Sequence, residues 1–170
     1  MSTIPQNALP EPAERLLRRW ESLRAGDKAP AHSALNPATL REWMSDSSIV
    51  EFHEHTQKHC LKMQGFNVAR NIGDYHAPGG YLEDLIPADF QAVVLSAYHE
   101  ARRSQRPVHS VIQSDALPGS FQQFERLILP FADEATGRAD RFLVWVGPTH
   151  RNCVDCETIY EAPLSQATRN

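Results

Sequence analysis

The sequence has few cysteines and no long apolar run, and each shortage excludes a class of protein. Its 170 residues include three cysteines, an odd number that argues against a disulfide framework and favours a reducing compartment. The apolar runs reach about five residues, far below the roughly 20 that a membrane helix needs. The N-terminus also lacks the basic and apolar regions of a signal peptide. We therefore expect a cytoplasmic protein that makes no contact with a membrane.

An excess of basic charge is also missing. Lys and Arg total 17 against 21 for Asp and Glu, which gives a net charge of -4 with neutral histidines. Proteins that bind nucleic acid through its phosphates need a basic face, so we expect no nucleic-acid partner. The apolar share of 41% and the charged share of 22% are typical of a globular protein. A chain of this length buries enough surface to fold without disulfide or metal, and one domain is expected.

Three segments carry helical signals. A helix is predicted to begin near Glu11 and to end before Gly26, and a second to follow the cap signal Asn36-Pro37. The clearest amphipathic helix spans residues 88–104, where apolar residues recur every three or four positions. The predicted apolar face of the first helix consists of Leu16, Leu17, Trp20 and Leu23, that of the second of Leu40, Trp43 and Met44, and that of the third of Phe90, Val93, Val94, Ala97, Tyr98 and Ala101.

Five segments carry strand signals. Two form a predicted hairpin and three, after the long helix, a predicted antiparallel meander, with glycine-rich turns and short helices at residues 65–80 between them. The candidates for the buried face of the meander are Phe124, Leu127, Leu129, Leu143 and Trp145. The fold class is therefore α+β, with an antiparallel sheet covered on one face. We expect a disordered arm at residues 1–10, a domain at 11–147 and a polar C-terminal tail at 148–170. The predicted strands are Ser48–Glu54, Lys58–Gln64, Val108–Gln113, Phe121–Leu129 and Arg141–Gly147.

Several motifs add to this order of elements. They are the stretch WESLRAG at residues 20–26, Asn36-Pro37, the glycines at 65 and 73, the stretch at residues 80–87, and FERLILPF at residues 124–131. Together they resemble the PAS_5 family, PAS-like single-domain proteins found mainly in alphaproteobacteria. The resemblance implies a five-stranded antiparallel sheet with a helical belt on one face and an added N-terminal helix. It also implies a sensory or regulatory role, and it carries over no catalytic residue.

The resemblance places a pocket between the sheet and the helix of residues 88–104, either open to a small ligand or filled by side chains. Val94, Tyr98, Phe124 and Trp145 are the predicted pocket residues, because their positions face inward on the elements nearest to it. No cofactor is predicted. Because no effector segment is recognisable in the sequence, we expect the signal to pass through an unidentified signalling protein or through rearrangement of a homodimer. The apolar face of the N-terminal helix is expected to pack on the sheet of its own chain or of a second copy, and we favour the homodimer, in which this helix is the contact.

A competing hypothesis is a metal- or redox-responsive protein. His150, Cys153 and Cys156 have a spacing that could give three ligands to zinc, although a closed structural site needs four. A second cluster, His53, His55, His59 and Cys60, lies in the predicted hairpin. Its histidines could converge on a metal, but they do not alternate cleanly with the apolar residues beside them, so a solvated hairpin is the favoured interpretation.

Signals of catalysis are weak. No G-x-S-x-G elbow or phosphate-binding glycine loop is present, and we expect no enzyme activity. Some PAS domains hold haem through a histidine on the long helix, and His99 lies on that helix here. It lies about a hundred degrees around the helix from Tyr98, toward the flank, so we do not expect it to bind haem. The basic end of this helix, at Arg102, Arg103 and Arg106, could bind an anion or could simply be a solvated helix end.

Overall fold

The predicted order of helices and strands is confirmed in a computed structural model, which describes residues 9–72, 75–113, 123–148 and 162–163. The N-terminal helix begins at Glu11, and the long helix spans residues 88–104 as predicted. The helices are α1 Glu11–Leu23, α2 Pro37–Trp43, α3 Phe66–Ile72, α4 Leu82–Leu85 and α5 Ala88–Ser104, with a short 3-10 helix at His32–Ala34. The strands are β1 Ser47–His53, β2 Lys58–Met63, β3 Val108–Gln113, β4 Gln123–Ala132, β5 Ala139–Pro148 and β6 Ala162–Pro163.

The strands form one sheet in the order β2-β1-β5-β4-β3-β6, and every neighbouring pair is antiparallel. The first five strands of the chain are the predicted ones. The two-residue strand β6 was not predicted: it pairs with β3 at Val108 and His109 and lies within the segment predicted only as a polar tail. None of the helices in the described parts of the chain is long and apolar enough to cross a membrane.

Helices α3, α4 and α5 cover one face of the sheet, which we call the belt face. Here Tyr98 and Ala101 of α5 pack against Phe142 and Val144 of β5 and Ile128 of β4. The predicted helical belt is therefore confirmed. Leu95 was not part of the predicted apolar face of α5, but it is buried in the same core. The sheet covers a broader part of the helix surface than the predicted face.

Helix α1 and the segment after it cover the opposite face, which we call the α1 face. The indole Nε1 of Trp20 donates a hydrogen bond to the carbonyl oxygen of Pro130 at 2.7 Å, and Leu16 lies in the same core. Trp43 of α2 is buried there too, whereas Met44, predicted to share its apolar side, is 49% exposed because it follows the end of the short helix. The strand residues of this core are Leu127, Leu129, Phe131, Leu143 and Trp145.

Burial of both faces explains the continuous apolar runs of β4 and β5. The prediction of a single buried face was wrong for this part of the meander. Phe124 points to the belt face, whereas Leu127, Leu129, Leu143 and Trp145 point to the α1 face. Two buried faces remove the alternation of apolar and polar residues from which the direction of a side chain is predicted.

The predicted cap at Asn36 is confirmed in atomic detail, and the structure adds a reason for the glycine at position 65. The side chain of Asn36 accepts hydrogen bonds from the backbone N–H groups of Ala38 and Thr39, at 3.0 and 3.1 Å, and so caps α2. Gly65 lies at a close approach between β2 and α3. A Cβ atom there would lie 2.5 to 2.7 Å from the carbonyl oxygens of Met44, Ser45 and Ser47, so this junction requires glycine.

Candidate functional site: a buried polar cluster on the belt face

Three of the four predicted pocket residues lie on the belt face, and a buried arginine contacts two of them. Arg126 follows Phe124 by two positions on β4 and is 3% exposed. Its Nη1 donates a hydrogen bond to the carbonyl oxygen of Val94 at 2.9 Å, and its Nε donates to Ser110 Oγ at 3.1 Å. Its guanidinium carbon lies 5.4 Å from the centre of the Tyr98 ring, within reach of a cation–π interaction.

Trp145, the fourth predicted pocket residue, lies on the other side of the sheet. Its neighbours Val144 and Val146 point to the belt face, so Trp145 points to the α1 face, as strand geometry requires. Its ring lies over Gly147, where a Cβ atom would come within 2.3 Å of it. The prediction that Trp145 lines the same pocket as Val94, Tyr98 and Phe124 is therefore wrong.

His59 of β2 is a belt-face residue that the sequence analysis did not place in the pocket. Its side chain is completely buried, and its Nδ1 lies 2.7 Å from Oε1 of Glu83 on α4. The same carboxylate accepts a hydrogen bond from the backbone N–H of His59, at 2.9 Å to Oε2. A carboxylate at Nδ1 fixes the tautomer with the proton on that nitrogen, so Nε2 carries a lone pair.

The favoured prediction of a solvated histidine hairpin is wrong for His59 and Cys60, both of which are buried. The reason is that a distant segment covers strand β2, which would otherwise be an exposed edge. The N–H of Leu61 donates to the carbonyl oxygen of Gly80 at 2.8 Å, and Cys60 forms a bridge with Tyr81. Nothing in the local pattern of the hairpin signals this contact. His53 and His55 lie together near the turn, with ring centres 5.5 Å apart.

Burial lowers the pKa of His59, and this effect exceeds the opposite effect of the Glu83 carboxylate; His99 and Arg102 lower it further. The imidazole is therefore neutral at neutral pH. Nε2 is shielded from solvent and has no hydrogen-bond partner in the described part of the chain. Aromatic rings surround the imidazole: the ring centres of Phe52 and Tyr98 lie 5.0 and 5.1 Å from it.

Tyr98 connects the histidine to the arginine, because its ring contacts both side chains. Burial raises the pKa of Tyr98 to about 12, so its hydroxyl stays protonated. We call the set His59, Glu83, Tyr98, Ser110 and Arg126 the belt-face cluster. It combines a hydrogen-bond acceptor at His59 Nε2, a phenol and a buried cation within apolar surroundings. Such a combination of apolar lining and few polar groups is typical of sites that bind small molecules.

The family of the chain follows from comparison with protein-family models. Residues 9–145 match the model PAS_5, described as a PAS domain. The chain belongs to the PAS_5 family. A search of the curated proteins gives no match. The match includes α1 and ends within β5, so it contains the whole belt-face cluster. It confirms the resemblance found in the sequence, and with it the assignment of a sensory or regulatory domain.

Other predicted positions of the PAS domain have intramolecular contacts. His99 is exposed on the flank of α5, as its phase predicted, with its ring centre 5.2 Å from that of His59. Arg102 forms an ion pair with Glu54 at 2.5 Å and lies over the Phe52 ring. Arg103 pairs with Glu100 at 2.6 Å. Two of the three arginines predicted as an anion clamp or a solvated helix end therefore have acidic partners in the chain.

The competing metal or redox site of the tail lies outside the described residues. His150, Cys153 and Cys156 all belong to the segment between Pro148 and Ala162. The hypothesis that these three residues bind a metal therefore stays a prediction.

Proposed function

We propose that this PAS domain is a regulatory protein that senses a small molecule at the belt-face cluster, by binding and without catalysis. The observation that carries the proposal is Nε2 of His59, which is buried and has no hydrogen-bond partner among the residues that the structure describes. A buried polar atom without a partner costs about 1–3 kcal/mol. A ligand that donates a hydrogen bond to Nε2 removes this cost and is thereby favoured over an apolar molecule of the same shape.

The charged members of the cluster support the same proposal. Burying an ion is unfavourable unless it is paired and hydrogen-bonded. The part-buried His59–Glu83 contact joins β2 to α4, and the buried Arg126–Ser110 contact joins β4 to β3. An apolar core would stabilise the fold without this cost. Perturbed, buried titratable groups occur preferentially at functional sites, and Tyr98 and His59 are both of this kind.

The signal would leave through contacts with other chains. Helix α1 packs on the sheet of its own chain through Leu16 and Trp20, and the same contacts would form if two copies exchanged their helices. We propose such a homodimer, and a signalling protein as its partner. A ligand that contacts Tyr98 would shift α5. Arg126 of β4 is hydrogen-bonded to the carbonyl oxygen of Val94 on α5. The side chains on the other face of β4 pack in one core with α1, so the shift would reach α1.

A thermal-shift screen tests the binding proposal. The full chain is melted with a library of small polar and aromatic compounds, beside a His59→Phe variant and a His55→Gln control whose imidazole is exposed. We expect compounds that stabilise the natural chain and the control but not His59→Phe, since phenylalanine keeps the ring and removes the acceptor. Compounds that stabilise all three chains equally would place the binding site elsewhere.

A further inference from the structure

A second buried histidine lies on the opposite face of the sheet from the belt-face cluster. His109 of β3 is 3% exposed, and Glu125 of β4 is 2% exposed. Their neighbours Val108 and Phe124 point to the belt face, so both side chains point to the α1 face. His109 Nε2 lies 3.2 Å from Oε2 of Glu125. The small-molecule site proposed above uses neither residue.

The other ring nitrogen of His109 is an unused ligand atom. The carboxylate at Nε2 fixes the tautomer with the proton on that nitrogen, so Nδ1 carries a lone pair. Nδ1 is shielded from solvent and has no hydrogen-bond partner in the described part of the chain. A histidine that binds a metal usually donates its other N–H to a carboxylate, which orients the ring and raises its basicity. His109 and Glu125 are arranged in this way.

The chain supplies further ligands close to this pair. The connection from β5 to β6, residues 149–161, carries the histidine and the two cysteines with zinc-ligand spacing. β5 ends at Pro148, opposite Phe124, and β6 begins at Ala162, opposite His109 itself. Both ends of the connection are therefore placed at the corner of the sheet that holds the buried pair. We call its three candidate ligands, which lie outside the described residues, the tail motif: His150, Cys153 and Cys156.

The connection is long enough to bring the tail motif to His109. Strands β4 and β3 lie between β5 and β6, so the two ends are about 14 Å apart across the sheet. The residues of the connection, fully extended, can span about three times this distance. His59 also has a carboxylate at one ring nitrogen, but the rings of Phe52 and Tyr98 surround it, and no cysteine motif begins and ends beside it.

We propose that His109 Nδ1 is the fourth ligand of a zinc site whose other three ligands are the tail motif, and that Glu125 orients His109. Two thiolates and two imidazoles complete the Cys₂His₂ set of a closed, tetrahedral structural site. Thiolates favour Zn²⁺ over the hard cations Mg²⁺ and Ca²⁺. Binding releases the two thiol protons and gives the buried Nδ1 a partner. The zinc would fasten the connection to β3.

The test is titration of the full chain with Co²⁺ and then with Zn²⁺. The protein carries no polyhistidine tag, is kept reduced and is first treated with a chelator. The visible absorption of bound Co²⁺ reports a tetrahedral geometry and thiolate ligands, and competition with Zn²⁺ gives the zinc affinity. We expect saturable binding of one metal ion per chain, with the spectrum of a tetrahedral site that contains thiolates.

Three variants connect the binding to the proposed ligands. Changes to the carboxylate partner of a metal-binding histidine cost about 10- to 100-fold in affinity. Glu125→Gln should therefore weaken zinc binding within this range, and His109→Gln by at least as much. Cys153→Ser should also weaken it and reduce the thiolate absorption. The controls are Cys60→Ala, at the buried cysteine of β2, and His55→Gln, and both should bind zinc like the natural chain.

If His109→Gln and Glu125→Gln fail to fold, nitrogen NMR of the histidine side chains in the natural chain decides the question, because zinc shifts the resonance of the nitrogen that binds it. An Nδ1 resonance of His109 that zinc leaves unshifted would overturn the proposal. Absence of saturable zinc binding by the natural chain would overturn it too. Zinc binding that Cys153→Ser weakens but the two strand variants leave unchanged would place the fourth ligand elsewhere, and an affinity that Cys153→Ser leaves unchanged would exclude the tail motif.

Discussion

His59 is a neutral imidazole inside the domain, and its protonation is therefore coupled to folding. The charged and titratable residues beside it are Glu83 of α4 and Tyr98, His99 and Arg102 of α5. Its pKa in the folded chain lies below its ordinary value of 6.5. Just below pH 6.5 the unfolded chain therefore binds a proton at this position that the folded chain does not bind. The contribution of His59 to stability is present above this pH and is lost as the pH falls toward the folded pKa.

We predict that the natural chain loses stability faster than a His59→Gln variant as the pH falls below about 6.5, the ordinary histidine pKa. One proton changes the slope by at most about 1.4 kcal/mol per pH unit. Urea unfolding at each pH measures the free energy of unfolding. The control is His55→Gln, which removes an exposed imidazole and should keep the natural slope. Equal slopes for the natural chain and His59→Gln would show that His59 takes up its proton equally in both states.

The sequence identified some members of the belt-face cluster and not others. Tyr98 was found, together with its neighbour Val94 outside the cluster, because helical spacing assigns one face of α5 to the core. Trp145 was misplaced because both faces of β5 are apolar, so alternation carries no information there. His59 and Arg126 were missed because the contacts that bury them come from α4 and α5, 24 and 32 residues away along the chain, and no local pattern reports such contacts.

At the scale of elements, α1 is held to the sheet by one large anchor. Trp20 is 1% exposed, and its Nε1 donates to the carbonyl oxygen of Pro130 at 2.7 Å. The sequence predicted the helix and its apolar face from spacing alone. It left open whether this face packs on its own sheet, because an amphipathic pattern shows that a face is buried and does not show what buries it.

We predict that Trp20→Ala lowers the free energy of unfolding by about 3–5 kcal/mol, as for other large aromatic residues removed from cores. Trp20→Phe should cost less, about 1–3 kcal/mol, chiefly because the carbonyl of Pro130 loses its partner. Chemical denaturation measures both values. Phe66→Ala, at a side chain that is 74% exposed, is the control and should change stability by no more than about 0.5 kcal/mol. A Trp20→Ala chain as stable as the control would contradict the packing of α1.

For the whole molecule, the order of elements was predictable because helices and strands differ in the period of their apolar residues and are separated by turns that contain proline or glycine. The pairing of β6 with β3 was not, since two residues are too few for a pattern. We predict that the oligomeric state of the protein is a homodimer.

Light scattering of the full chain coupled to size-exclusion chromatography measures the oligomeric state. The expected mass is twice that of one chain, which is 19.2 kDa. Helix exchange would bury the Trp20 contact in the dimer as in the single chain, so Trp20→Ala should destabilise both forms and leave the dimer fraction close to that of Phe66→Ala. A full chain that is monomeric at all concentrations tested would rule out the homodimer.

The central claim is that this PAS domain binds a small molecule at the belt-face cluster, and native mass spectrometry of the full chain as isolated tests it most directly. We predict a mass above that of the polypeptide, from a non-covalent ligand that is released on denaturation, in the natural chain and in His55→Gln but not in a folded His59→Phe chain. Only the polypeptide mass in the natural chain, together with no stabilising compound in the thermal-shift screen, would contradict the claim and leave the interior as a core filled by side chains.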